Sequence, residues 1–187
     1  MTRIGVIGGG NIGRTVGAAW QRAGHDVVYS SRSPEPPATV SIPAAIAHAE
    51  VVLLSTPGDA VPGLLAEHGQ ALDGRVVIDA TNDISGGALN HADVYASSAP
   101  GARFVRAFNT LGFELFAEPS LGGEVADLFW CGPEDVEPLL ADVGLRPVRV
   151  GDIDAVEVVD GVGRLWLTLV FRGGHPRRLA FRMLTEE

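Results

Sequence analysis

The stretch Arg3-Ile4-Gly5-Val6-Ile7-Gly8-Gly9-Gly10-Asn11-Ile12-Gly13 decides the fold, because an apolar run short enough for a buried strand leads straight into the pattern G-x-G-x-x-G. In that pattern Gly8 allows a tight turn out of the strand. Gly10 lets the backbone approach a pyrophosphate, and Gly13 lets the following helix, expected over Arg14 to Ala23, pack closely on the sheet. The helix N-terminus then offers its free N–H groups to the phosphates. A second strand, Val27-Val28-Tyr29-Ser30, follows, and Ser31-Arg32 stands where NAD-binding chains carry an Asp or Glu for the ribose 2′-hydroxyl. A carboxylate there would repel a 2′-phosphate. A hydroxyl and a guanidinium fork bind one, so Ser31 and Arg32 point to NADP(H) over NAD(H).

Working outward, Ser33-Pro34-Glu35-Pro36-Pro37 must be a turn or loop. A short helix is expected from Pro43 to Ala49. Val51 to Ser55 reads as a third strand ending in Thr56-Pro57-Gly58, and Ala60 to His68 as its covering helix. Further strands are expected at Arg75 to Asp79, Arg103 to Ala107, Ala126 to Cys131 and Arg146 to Val150, with a helix from Pro133 to Val143. This alternation implies a parallel, doubly wound α/β sheet. Residues 153–171 are apolar and helix-compatible apart from Gly161 and Gly163. The expected division is therefore a nucleotide-binding domain over residues 1–150 and a small helical lobe over 151–187.

With 187 residues and 46% hydrophobic composition, the chain can bury one good core with a small appendage. No apolar run is long enough to span a bilayer and no secretory leader is evident, so the protein is expected to be cytoplasmic, without a membrane partner. The net charge of -9 argues against nucleic acid. All 14 basic residues are arginine, which removes Schiff-base chemistry and any lysine acid or base. Cys131, the only cysteine, lies in an apolar run and reads as packing. The five histidines lack metal-ligand spacing, so no metal is expected, and each reads as a surface or turn residue.

Ligands of open α/β sheets sit beyond the carboxyl ends of the strands, which makes Thr56-Pro57, Ala80-Thr81-Asn82 and Phe108-Asn109-Thr110 the candidates. Ala80 is expected beside the cofactor, with Asn82 and Asn109 positioning a substrate. The polar members of these turns are hydroxyls and amides, which orient a ligand but do not readily exchange a proton. Asp79 and Asp83, which flank the turn at Asn82, are the acids to watch there. Hydride transfer between two redox rings suits such a site, because the cofactors then carry the chemistry.

The glycine loop, the Ser30-Ser31-Arg32 ending, Val105 to Gly112 and Gly144-Leu145-Arg146-Pro147-Val148 together resemble the NADP oxidoreductases dependent on the deazaflavin coenzyme F-420. The cytoplasmic reductase domains of the six-transmembrane epithelial antigen metalloreductases look similar. The resemblance implies a Rossmann-type, mostly parallel sheet with a short helical C-terminal lobe, and hydride exchange between NADP(H) and the deazaflavin. It also implies that Gly8, Gly10, Asn11, Ile12 and Gly13 form the phosphate loop, that Ser31 and Arg32 clamp the 2′-phosphate, and that Thr56 and Pro57 form the turn after the third strand. Ile78 to Asp83 departs from the Pro-rich turn more usual there. Two alternatives stay open: an NADPH-dependent reductase of a carbonyl or imine, and a non-catalytic NADP(H)-sensing module. A homodimer is expected because Leu165, Trp166, Leu167, Leu169, Val170 and Phe171 make residues 153–171 apolar on most faces.

Overall fold

A computed structural model describes residues 1–31, 36–85 and 87–186 of the chain. Arg32 and the rest of segment 32–35, part of the loop expected after the second strand, lie outside the described residues. The strands are β1 (Arg3–Ile7), β2 (Asp26–Ser30), β3 (Val51–Leu54), β4 (Val76–Asp79), β5 (Arg103–Arg106), β6 (Ser120–Leu121), β7 (Glu124–Val125), β8 (Asp127–Cys131) and β9 (Arg146–Gly151). The helices are α1 (Asn11–Arg22), α2 (Ile42–His48), α3 (Val61–His68), α4 (Ala92–Ser98), α5 (Glu114–Ala117), α6 (Glu137–Ala141) and α7 (Val156–Phe171).

Seven strands form one sheet in the order β2-β1-β3-β4-β5-β8-β9, a mostly parallel, Rossmann-like α/β architecture. The apolar runs are continuous because both faces are covered. On β3, Val51 and Leu53 belong to the core on one face, and Val52 and Leu54 to the core on the other. The first face carries α1 through Val16, Ala19 and Trp20; the second carries α2 and α3 through Ile46, Val61 and Leu65. From β1 the chain moves out to β2 and returns on the opposite side as β3. That reversal opens a crevice at the carboxyl ends of β1 and β3, where open α/β sheets bind ligands.

The β-α rhythm breaks after β5. No long crossover helix follows, only the four-residue α5 and the hairpin β6–β7, neither of which was expected. Strand β8 therefore returns antiparallel to β5, and β9 then runs parallel to β8. The helix expected from Pro133 to Val143 is shorter, a 3-10 turn at Glu134–Val136 followed by α6. Pro138, which lacks an N–H, falls at the start of α6, where that loss costs least. Helix α7 turns its Val156, Val159, Asp160, Gly163 and Trp166 inward. The tail beyond it doubles back onto β8, where Asp127 accepts from the Met183 N–H at 2.5 Å and its own N–H donates to the Phe181 carbonyl at 3.0 Å.

Candidate active site

Gly8 leaves β1 at φ +116, a conformation L side chains rarely adopt, and a Cβ there would meet the Ser55 backbone at 2.6 Å. At Gly13 a Cβ would stand 2.1 Å from the Gly8 carbonyl oxygen and 2.5 Å from Ser55 Oγ. Two glycines thus press the loop, the start of α1 and the end of β3 together. Gly10 differs: its two chain neighbours aside, no atom of the described residues lies within 4 Å of its Cβ position. Its open side belongs to a cleft of about 610 Å³ lined by Gly8, Gly9, Gly10, Ser31, Thr56 and Pro57 among others. Thr56 adds a buried Oγ1 with no protein partner among the described residues. Small, unhindered glycines, helix N–H groups and an unsatisfied hydroxyl fit the pyrophosphate of a dinucleotide.

The other wall of this cleft comes from α3 and includes Leu64, Glu67 and His68, with Asp59 on the turn before it. Sequence reasoning did not pick these residues, since they lie on the face of an ordinary covering helix. Of the residues expected at the cofactor, Asn11 is exposed at the start of α1, while Ile12 packs against the core. Ala80 is buried behind the end of β4 and does not line the cleft.

Beyond β4 and β5 lies a second, buried cluster. Arg106, at the carboxyl end of β5, is wholly buried together with Asp79 and Asp160. Its Nη1 donates to the Thr81 carbonyl at 2.6 Å and its Nη2 to Asn82 Oδ1 at 3.2 Å. Its Nε donates to Asp160 Oδ1 at 2.8 Å, and the same oxygen accepts from Asn109 Nδ2 at 3.0 Å. Asn82 Nδ2 donates in turn to the Asn109 carbonyl at 3.1 Å. Burial raises the Asp79 carboxyl above its ordinary value of 3.8, and Arg106 opposes that rise. With one buried cation facing two buried carboxylates, a proton on Asp79 makes the cluster neutral.

This geometry revises several expectations. Asn109 is only 3% exposed: its Nδ2 donates to Asp160, while its Oδ1 is buried without a protein partner among the described residues. Asp79 is sealed in the interior and cannot reach a ligand. Trp166 is buried, its Nε1 donating to the Leu179 carbonyl at 3.0 Å and Arg177 lying 5.6 Å from its ring. Its burial also removes it from the outward apolar face expected of the C-terminal segment, where Val158, Leu165 and Phe171 remain exposed. His91 is neither a surface nor an idle turn residue. Its side chain is 15% exposed, with Nε2 2.9 Å from the Gly58 carbonyl oxygen and 3.4 Å from Asp83 Oδ2. The turn after β3 and the turn after β4 meet there, since a Cβ on Gly58 would stand 2.4 Å from the Asp83 nitrogen. The buried Cys131 thiol is pushed up to about 11 by desolvation, which leaves it unreactive at neutral pH.

Residues 3–83 match the family of NADP oxidoreductases dependent on coenzyme F-420. The matched segment runs from β1 through the turn after β4, so it takes in the glycine loop and both turns joined by Gly58. Among solved structures, a protein of Arthrobacter sp. FB24 provisionally described as an F-420-dependent NADP reductase superposes with a TM-score of 0.81 at 22% identity. It covers 99% of this chain and 100% of its own. The hypothetical protein SMa0349 of Sinorhizobium meliloti superposes at 0.71 with 24% identity, over 100% and 97%. An imine reductase from Aspergillus terreus, solved with NADPH4 and a dibenzazepine, superposes at 0.70 with 21% identity, over 92% of this chain but 63% of the reductase. At such identities the likeness is one of fold. The F-420-dependent family and the reductases among these neighbours are NADP-dependent oxidoreductases. No helix among the described residues is long and apolar enough to cross a membrane.

Proposed function

We propose that the protein is a cytoplasmic NADP(H)-dependent oxidoreductase that moves hydride between the nicotinamide and a second redox ring, with coenzyme F-420 as the best fit. The observation that carries this reading is the glycine cradle. Gly8 and Gly13 close the loop onto β3 while Gly10 leaves open the side that a pyrophosphate requires. Ser31 lines the same cleft, and Arg32 beside it in sequence supplies the guanidinium that favours a 2′-phosphate. The bound nicotinamide supplies the hydride. The chain's own work is to hold the phosphates on the loop, to carry the nicotinamide toward the turns after β4 and β5, and to keep water out. Asp79 and Asn109 are locked into the cluster around Arg106, which suits a reaction that asks little of the protein as acid or base. The exposed Val158, Leu165 and Phe171 on α7 give a homodimer its contact face, which light scattering at micromolar concentration tests.

The decisive experiment is single-turnover oxidation of NADPH carrying deuterium at C4, with F-420 as acceptor. Label arriving on the acceptor carbon supports the reading. Oxidation that leaves F-420 unreduced refutes the choice of acceptor, and binding without any oxidation leaves the sensing module. A second reading is favoured by one observation, the contact between His91 and Asp83: a carbonyl or imine reductase needs a proton donor, and this pair supplies one beside the turn after β3. Under that reading His91→Asn lowers imine reduction about 100-fold.

A further inference from the structure

Helix α7 reaches the buried cluster around Arg106 through Asp160. Asp160 Oδ1 accepts from Arg106 Nε and from Asn109 Nδ2, and its Oδ2 accepts from Asn90 Nδ2 at 2.8 Å. Through Arg106 it reaches Thr81 and Asn82 in the turn after β4, and through Asn109 the turn after β5. The second turn is strained, because Phe108 takes φ 63, unusual for a bulky side chain. Phe108 is held there by edge-on packing against Trp20 and Phe116 on one side and by the hydrogen-bonded Asn109 on the other. Gly163 lets α7 come this close, for a Cβ on it would stand 3.2 Å from the Asn109 oxygen and 3.3 Å from its Nδ2.

Stability alone does not account for the cluster. Buried ion pairs contribute little net stability against apolar groups of similar volume, because desolvation offsets their attraction. Apolar packing would not orient the carbonyls of Thr81 and Asn109 or keep Phe108 in a left-handed conformation. We propose that Asp160 is a positioning residue for hydride transfer, setting from α7 the turns after β4 and β5 on which the nicotinamide rests. The proposal rests on reading the protein as an NADP(H) oxidoreductase. It predicts a separation of binding from turnover, since the cradle built by β1, α1 and β3 makes no contact with Asp160.

The test compares the native protein with Asp160→Asn and Gly163→Ala. Asparagine keeps the size of Asp160 and removes its charge; alanine presses on Asn109 without touching the ion pair. Three readouts serve: NADPH affinity by calorimetry, the emission of the bound nicotinamide, and the single-turnover rate with purified F-420. The expected result for both variants is NADPH affinity within about threefold of native, altered nicotinamide emission, and a rate lowered about tenfold or more. In Gly163→Ala the helix preference of alanine is opposed by its press on Asn109, so the melting midpoint is recorded beside the rate, and altered emission at native NADPH affinity is what separates positioning from lost stability. If Asp160→Asn does not fold, Gly163→Ala decides alone. Folded variants with native emission and rate overturn the proposal and leave the oxidoreductase reading intact. A native protein that binds NADPH but passes hydride to no acceptor overturns both.

Discussion

Replacing Gly10 by alanine should leave the fold intact and damage only nucleotide binding, and the structure gives the size of both effects. Gly10 sits at φ -75 and ψ -173, a conformation any residue adopts, and, its two chain neighbours aside, no atom of the described residues lies within 4 Å of the new methyl group. Alanine at a compatible glycine position stabilises a protein by about 0.4–1 kcal/mol, chiefly by restricting the unfolded chain, but Gly10 is the N-cap of α1, where alanine is poorer than glycine by a similar amount. The melting midpoint should therefore move by no more than about 4 °C in either direction. The methyl group occupies room the pyrophosphate needs, and displacing one charge-assisted hydrogen bond costs about 1.5–3 kcal/mol. NADPH affinity should fall about 10- to 100-fold. Gly13→Ala makes the contrast. Its methyl group would lie 2.1 Å from the Gly8 oxygen, where such contacts normally begin near 3.3 Å. The loop or helix must retreat by about 1 Å, an overpacking cost of about 1–3 kcal/mol. Calorimetric titration with NADPH and thermal unfolding on the three proteins check both. A Gly10→Ala protein that binds NADPH as tightly as the native chain would refute the placement of the phosphates.

Three further outcomes are expected. Arg32→Ala should weaken NADPH about 10- to 100-fold and leave NADH unchanged, as measured by fluorescence titration, because only the 2′-phosphate contact is lost. Arg106→Met should cost about 3–5 kcal/mol in urea unfolding, since it leaves Asp160 charged, buried and without its cation. Asp79 has its folded pKa raised by burial above 3.8, so its contribution to stability is complete below that value and is lost as pH rises through the folded value. Asp79→Asn cannot titrate. Its stability relative to the native protein should improve as pH rises above 4 and level off once Asp79 is ionised in the folded state, as read by urea unfolding, and a gap that stays constant with pH would contradict a raised carboxyl.

What was legible in the sequence is the part governed by local rules. The glycine loop announced a turn, a close approach and a helix start within six residues, and the apolar runs at β3 and β4 announced strands covered on both faces. The direction of β8 was not legible, because it depends on how a chain without a crossover helix closes over the far side of β5, and composition carries no record of that. His91 escaped for a related reason. It lies eight positions past Asp83 in an irregular segment, and no helical or strand period brings the two together; only the packing of Gly58 against the turn after β4 does so.

The buried cluster around Arg106 was legible in a form that asks for a different reading rule. Arg106 stands between Val105 and Ala107, both wholly buried, and a guanidinium placed there must find carboxylate and carbonyl partners, since an unpaired buried charge is prohibitive. On the helix, Val156, Val159, Asp160, Gly163 and Trp166 follow the three- and four-residue spacing of an inward stripe, with an aspartate in the middle of it. One apolar strand with an unexplained cation and one apolar helical stripe with an unexplained anion are complementary defects. Each is costly alone, so the fold that hides both must bring them together, and their separation of 54 positions is the distance over which that inference reaches. The charges out of pattern, rather than the pattern, mark where α7 meets the site.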